Sequence, residues 1–200
     1  MRIIKFVAIV ALLAQSVSAA DSVEDKVKAF AASQYPADAK MQKYVYDQQM
    51  TGYRYMTSVT DKETKEIAQK EYPEDYSMQK FTYDKQFAAK QYMGTVTDKD
   101  CKEIALREYN ADFAMQKFTY DKQLAAKQYM SSVTDDEVKK ISAKEYPADF
   151  AMQKFTYDKQ YAAKQYMATV KDAKAKKLAI QQYSDDYAMQ KYIYDKEAKE

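Results

Sequence analysis

Carboxylates are the side chains of this sequence that are best suited to chemistry. One Asp follows a Tyr at five equivalent places: Asp47, Asp84, Asp121, Asp158 and Asp195. A catalytic pair needs two carboxyl groups in unequal environments within one pocket. A carboxylate presented five times along a chain is more typical of capping or ion pairing, and Lys117 precedes Asp121 by one helical turn. The chain contains no His, so imidazole is absent as a base or ligand. We therefore predict no catalytic residue and no enzymatic activity.

The sulfur-containing residues raise the question of metal or redox chemistry. Met115 and Met130 could be thioether ligands for Cu(I). Both accompany aromatic residues at helical spacing, however, and this pattern is more typical of core filling. Cys101 aligns with small residues in the other units, so a packed site is favoured over an intermolecular disulfide or a reactive thiol. The sequence predicts no metal site and no cofactor.

A strict repeat organises the chain. The tripeptide Met-Gln-Lys begins every 37 residues, at Met41, Met78, Met115, Met152 and Met189. A period of this length is the signature of a repeat array. The chain has only two Gly and three Pro in 200 residues, which leaves little material for β-turns. The sequence therefore predicts an all-α fold.

Start and stop signals divide each repeat into a short and a long helix. Residues 60–63 and 134–137 resemble capping boxes, in which Thr60 and Thr134 begin short helices. The short helix should end where Tyr precedes Pro, because helix is disfavoured before proline. An Asp such as Asp112 is then expected in the first turn of the long helix, where it meets the helix dipole. We predict an α-solenoid of five helical hairpins, at about 22–57, 60–93, 97–130, 134–167 and 171–200.

The long helix carries apolar residues on two sides. A broad stripe, predicted to face a neighbouring hairpin, contains Ala114, Met115, Phe118, Ala125, Ala126, Tyr129 and Met130. A narrow stripe nearly opposite contains Phe113, Tyr120 and Leu124. Lys122 falls within the broad stripe, and we expect its stem to pack while its ammonium group reaches the edge. A partner-facing role for Lys122 is the weaker alternative. The alternative to a solenoid is self-association, in which the narrow stripe joins long helices of different chains in a bundle.

The N-terminal segment reads as a secretory signal. Arg2 and Lys5 precede an apolar run from 6 to 14, and small residues follow it. We predict a signal peptide over residues 1–19, a single repeat domain over 20–200, no membrane span, and a secreted protein, periplasmic in a bacterium. Removing Arg2 and Lys5 leaves 30 basic and 30 acidic residues. A balanced charge provides no long-range field for nucleic acid.

The function expected from these features is that of a non-catalytic binding or scaffold protein. A protein, peptide or glycan partner could stack on a ladder of tyrosines in the narrow stripe: Tyr46, Tyr83, Tyr120, Tyr157 and Tyr194. The alternative is that these rings are buried between successive hairpins. Two further functions stay open, namely a tyrosine-rich matrix protein and a helical carrier of an apolar small molecule.

Overall fold

The computed structural model describes residues 22–198. They form ten α-helices and no strand, so the all-α prediction is confirmed for this part of the chain. The predicted signal peptide lies outside the described residues. No helix between residues 22 and 198 is long and apolar enough to cross a membrane. Short and long helices alternate: α1 (Val23–Gln34), α2 (Ala39–Ser58), α3 (Lys62–Glu71), α4 (Tyr76–Thr95), α5 (Lys99–Glu108), α6 (Phe113–Ser132), α7 (Asp136–Glu145), α8 (Phe150–Thr169), α9 (Ala173–Gln182) and α10 (Tyr187–Glu197).

Aspartate, not threonine, caps the short helices that the sequence analysis marked out. The Asp61 carboxylate accepts a hydrogen bond from the Thr64 backbone N–H at 3.0 Å, and Asp135 caps α7 in the same way. The predicted N-caps at Thr60 and Thr134 are therefore wrong by one residue. Asp112 is likewise the N-cap of α6 and not a first-turn residue. A charged cap satisfies a free N–H group and also meets the positive end of the helix dipole.

A glutamine closes the turn between each short helix and the long helix that follows. Gln116 donates a hydrogen bond from Nε2 to the carbonyl oxygen of Tyr109, the residue after α5, at 2.6 Å. The same bond recurs in the other four turns. Proline follows this Tyr in three units and disfavours further helix there. The short helices therefore end where the sequence predicted, and a buried amide fixes the angle of the turn.

Contacts between helices follow one rule throughout the described chain. Each short helix packs against the next long helix, and each long helix packs against the long helix after it. Gln86 bonds to Asp112. Further along the same two helices, Tyr92 bonds to Asp121, so α4 and α6 run in parallel. The five long helices form one layer, with the short helices packed against it. The arrangement is consistent with a helical repeat.

Small apolar clusters join neighbouring units. In one cluster Met93 of α4, Cys101 and Ala105 of α5, and Tyr120 of α6 are buried together. Equivalent clusters contain Met56, Met130 and Met167. Of the two methionines predicted as core filling, Met130 is buried and Met115 is half-buried. Cys101 is packed, as predicted, and burial raises the pKa of its thiol to about 12. The thiol is therefore protonated at neutral pH, which makes it a poor nucleophile.

Ion pairs fasten three of the long helices, α4, α6 and α8, to the start of their own short helices. Lys127 of α6 contacts Asp98 at 2.9 Å and Asp100 at 2.7 Å. Lys90 and Lys164 make the same pairs in the flanking units. The hydrogen bonds from Lys127 and from the Cys101 backbone lower the pKa of Asp98 to about 2. These three lysines are thus already neutralised by carboxylates of the fold.

The two glycines of the described chain provide a matched test of the packing. A Cβ atom on Gly52 would collide with the Tyr76 carbonyl group and lie 2.8 Å from the Ser77 nitrogen, whereas one on Gly94 would meet nothing within 4 Å. We expect Gly52→Ala to lower the free energy of unfolding by about 1–3 kcal/mol, because α2 and α4 must separate. We expect Gly94→Ala to raise it by up to about 1 kcal/mol, because Ala favours helix. Urea denaturation measures both, and equal shifts would contradict the packing described.

Candidate binding surface

The tyrosines of the predicted ladder do not form an exposed surface. Tyr83, Tyr120, Tyr157 and Tyr194 are buried, and Tyr46 is half-buried. The Tyr120 ring packs edge-on against Tyr92 of the preceding long helix, and its hydroxyl accepts a hydrogen bond from the Asp98 N–H at 3.4 Å. The expectation that these five rings meet a partner is therefore corrected for the four buried ones. The alternative, burial between successive helical units, is the one observed.

A different row of rings faces solvent. One aromatic residue of each long helix, two positions before the buried tyrosine, is largely exposed: Tyr44 (58%), Phe81 (61%), Phe118 (62%), Phe155 (63%) and Tyr192 (62%). We call these five residues the aromatic row. The described residues show no ring contact between its members, so each ring has free faces. A soluble protein rarely exposes five large apolar groups in a row on one surface.

The broad stripe predicted to be buried is split by the fold. Of its members, Ala126 and Met130 are buried, whereas Phe118 and Ala125 face solvent. The buried side of α6 instead includes polar residues, among them Gln116, Thr119 and Gln123. Hydrophobicity assigns glutamine to water, so the sequence analysis placed the buried face incorrectly. Lys122, one turn after Phe118, was the signal that this side is exposed.

A row of unpaired lysines runs beside the aromatic row. Lys85, Lys122 and Lys159 lie one turn after Phe81, Phe118 and Phe155 and are exposed. The exposure of Lys122 agrees with an ammonium group that reaches solvent, and the packing of its stem stays a prediction. Within residues 22–198 these three lysines have no ion pair and no hydrogen bond. We call them the lysine row. Exposed alanines follow one turn later at Ala88, Ala125 and Ala162, and the two rows with these alanines make up the open face of the long-helix layer.

Clusters of Tyr, Asp and Lys border the open face. Tyr92 of α4 donates its hydroxyl hydrogen to Asp121 of α6 at 2.6 Å, and Lys117 donates to the same carboxylate at 2.6 Å. The Lys117 ammonium lies 4.5 Å from the centre of the Tyr92 ring, a cation–π distance. The same three residue types meet between the other long helices. These clusters fix neighbouring helices and hold no spare charge, so the lysine row supplies the uncompensated charge of this surface.

In the clusters the pKa of the Tyr is raised and the pKa of the Asp is lowered, so both values lie further from neutral pH. The hydrogen bond to Asp121 raises the pKa of Tyr92 to about 12. Burial alone would raise the pKa of Asp121, but the bonds from Lys117 and Tyr92 outweigh it and lower this pKa. The carboxylate is therefore ionised and the phenol neutral across the physiological range. A general acid or base works best with a pKa near the operating pH, and neither group has one.

Open grooves lie between a short helix and the turn that leads into the long helix of the next unit. One groove, of about 570 Å³, is lined by Val27 and Phe30 of α1 and by Pro73 and Tyr76 of the next unit. A groove of about 340 Å³ occupies the equivalent place two units further on. Among the described residues, no group of three or more His, Cys, Asp or Glu side chains could hold a metal ion.

No protein-family model, curated protein or solved structure matches this chain. The surface itself must therefore carry the functional argument.

Replacing two aromatic residues of α6 should have very different effects on stability. Tyr120 is 3% exposed and Phe118 is 62% exposed. We expect Tyr120→Ala to lower the free energy of unfolding by about 3–5 kcal/mol, the usual cost of truncating a buried aromatic side chain. Phe118→Ala should change it by less than about 0.5 kcal/mol, as is usual at surface positions. Equal losses in urea denaturation would show that the exposed and buried faces are assigned wrongly.

We expect the phenol groups of the clusters to titrate at a higher pH than an ordinary tyrosine. Tyr55, Tyr92 and Tyr129 have pKa values raised to about 12 from an ordinary value of 10.0, first because each donates to a carboxylate. A raised folded-state pKa stabilises the fold below pH 10.0, and this stability is lost as the pH rises towards about 12. Ultraviolet titration should show this late class in the wild type, and Asp121→Asn should move Tyr92 out of it. Titration of Tyr92 together with the exposed tyrosines would contradict the bond.

Proposed function

We propose that this protein is a secreted, non-catalytic repeat protein that serves as a binding or scaffold module for an extracellular partner. In this proposal residues 1–19 are the signal peptide, and residues 20–200 form one α-solenoid of five hairpins with a 37-residue period. The ten helices between residues 22 and 198 and their regular contacts support the solenoid. The apolar segment that follows Arg2 and Lys5 supports secretion.

The aromatic row is the single observation that carries the proposal. Its rings are apolar, exposed and aligned, and each is fixed to a long helix that packs on both sides in the interior of the layer. Binding to a rigid surface orders few protein groups, so little of the interaction energy is lost. Aromatic side chains are also enriched at the centres of protein interfaces.

The polar groups near this surface support binding over catalysis. Each Tyr, Asp and Lys of the clusters is held by its neighbours, as in the trio Tyr92, Asp121 and Lys117. The same trio is presented several times along the layer, whereas an active site brings different groups together in one pocket. The absence of His removes the commonest general base.

The two rival functions have weaker support. A cross-linked matrix protein needs free phenol groups. Seven tyrosines of the described chain are exposed, but Tyr129 and Tyr166 donate to carboxylates, and the three central rings of the aromatic row are phenylalanines. A carrier of an apolar molecule needs an enclosed apolar cavity. The groove of about 570 Å³ is instead open and is lined in part by Lys26 and Glu74.

Capture with a matched variant tests the binding proposal. The mature chain and a variant with Phe81→Ala, Phe118→Ala and Phe155→Ala, called the triple phenylalanine variant, are immobilised and exposed to extracellular fluid of the source. We expect the variant to retain at least tenfold less of any partner that the wild type captures. The reason is that buried interface aromatics usually contribute more than about 1.4 kcal/mol. Leu106→Ala, an exposed apolar site on short helix α5, is the control and should change nothing.

Three outcomes would contradict the binding proposal. Equal retention by the wild type and the triple phenylalanine variant would separate any partner from the aromatic row. Insoluble material with dityrosine fluorescence would favour the matrix function. Lipid that co-purifies with the wild type and is lost on substituting Phe30 would favour the carrier.

A further inference from the structure

We infer that the open face binds an acidic polypeptide segment in an extended conformation. The segment would cross the long helices, with an apolar side chain on each ring of the aromatic row and a carboxylate beside each member of the lysine row. This inference rests on the proposed binding function, and it adds the chemical class of the partner and its spacing.

The spacing of the rings favours an extended chain with a period of three. One ring is presented by each long helix, and packed helices lie roughly 8–10 Å apart. An extended or polyproline II chain advances roughly 3.1–3.4 Å per residue, so three residues span about 9–10 Å. In polyproline II every third side chain lies on the same face. A β-strand places every second side chain on one face, and that period is too short for the helix spacing.

The narrow width of the apolar strip also restricts which classes of partner can bind there. Each long helix contributes one largely exposed large ring, and the lysine row lies directly between that ring and the exposed alanines. A helix that docks through an apolar stripe, or a membrane surface, would need apolar contacts across that width. A chain that places one apolar side chain on each ring fits this narrow strip.

The charge of the open face determines the sign of the partner. Lys85, Lys122 and Lys159 have no carboxylate partner within residues 22–198. The lysines at the interfaces between helices do have such partners, as in the pairs from Lys117 to Asp121 and from Lys127 to Asp98. A carboxylate next to each apolar side chain of the ligand would complete the same pairing. A second copy of this chain, docked face to face, would instead bring two positive rows to one interface.

Hydrogen bonding separates a polypeptide from an acidic glycan. Sugar hydroxyl groups need donors and acceptors on the protein beside the ring on which they stack. The ammonium groups of the lysine row can donate but cannot accept, and Tyr92 and Lys117 are already occupied because both donate to Asp121. Phe and Ala, which make up the centre of the open face, provide none.

Synthetic peptides provide the test. The probe is a labelled peptide of five Phe-Pro-Glu triplets, which favours polyproline II, and the paired probe contains Lys in place of Glu. We expect the acidic peptide to bind the wild type and the lysine peptide to bind at least tenfold more weakly. The triple phenylalanine variant should lose at least tenfold in affinity for the acidic peptide, whereas Leu106→Ala should lose nothing. Fluorescence anisotropy measures each affinity.

A charge swap makes the test specific. A variant with Lys85→Glu, Lys122→Glu and Lys159→Glu should reverse the preference between the two peptides, because the lysine row would become acidic. The positions are exposed, so circular dichroism should show an unchanged fold. Raising the salt concentration should weaken the binding of the acidic peptide to the wild type, since exposed charges are screened.

Several results would overturn the inference. These are no binding of the acidic peptide by the folded wild type, equal binding by the triple phenylalanine variant, and preferred binding of polygalacturonate, of phosphatidylserine vesicles, of a helical peptide or of a second copy of the chain. If native capture still depends on the aromatic row in those cases, only the chemistry of the partner is wrong. If native capture is also independent of that row, the proposed function fails with it.

Discussion

The fold depends on a buried glutamine that joins each long helix to the next. The Gln86 side chain donates to the Asp112 carboxylate at 2.9 Å and accepts from the Ala114 backbone N–H at 3.1 Å. The amide therefore binds the capping residue and a free N–H group at the start of α6, which would otherwise be buried without partners. Such a group is costly to leave unsatisfied, so a shift of one helix along the other is strongly disfavoured. Equivalent glutamines join the other long helices: Gln49, Gln123 and Gln160.

This register aligns the rest of the interface. It brings Tyr92 to Asp121, and it places Tyr120 in the apolar cluster with Met93. In α4, α6 and α8 the buried side is occupied by glutamine and threonine as well as by methionine, and one large aromatic residue per helix lies on the outer side. The aromatic row thus follows from a polar interior, and it is aligned because the glutamine bonds align the helices. The surface proposed for binding and the interactions that stabilise the layer have the same origin.

Charge is distributed by the same arrangement. Lysines near the helix interfaces are neutralised, as Lys127 is by Asp98 and Asp100, while Lys122 on the outer side has no such partner within residues 22–198. A chain with nearly balanced charge overall therefore presents a local basic strip. Local charge of this kind acts over about 8 Å at physiological salt and favours a partner that lies directly on the surface.

The sequence alone determined the helices, the aspartates near their starts, the ends at Tyr-Pro and the burial of Met130 and Cys101, because capping chemistry, proline and small packed side chains act within a few residues. It misplaced the caps by one position, since Thr and Asp both suit an N-cap. It also could not assign the exposed face. Whether Gln123 is buried depends on Asp149 and Ala151, which lie in the next unit. Only the tertiary structure supplies those partners, and with them it decides that Tyr120 is buried and Phe118 is exposed. A glutamine prefers water until both ends of its amide are bonded, and that condition is set by the neighbouring helix and not by local sequence.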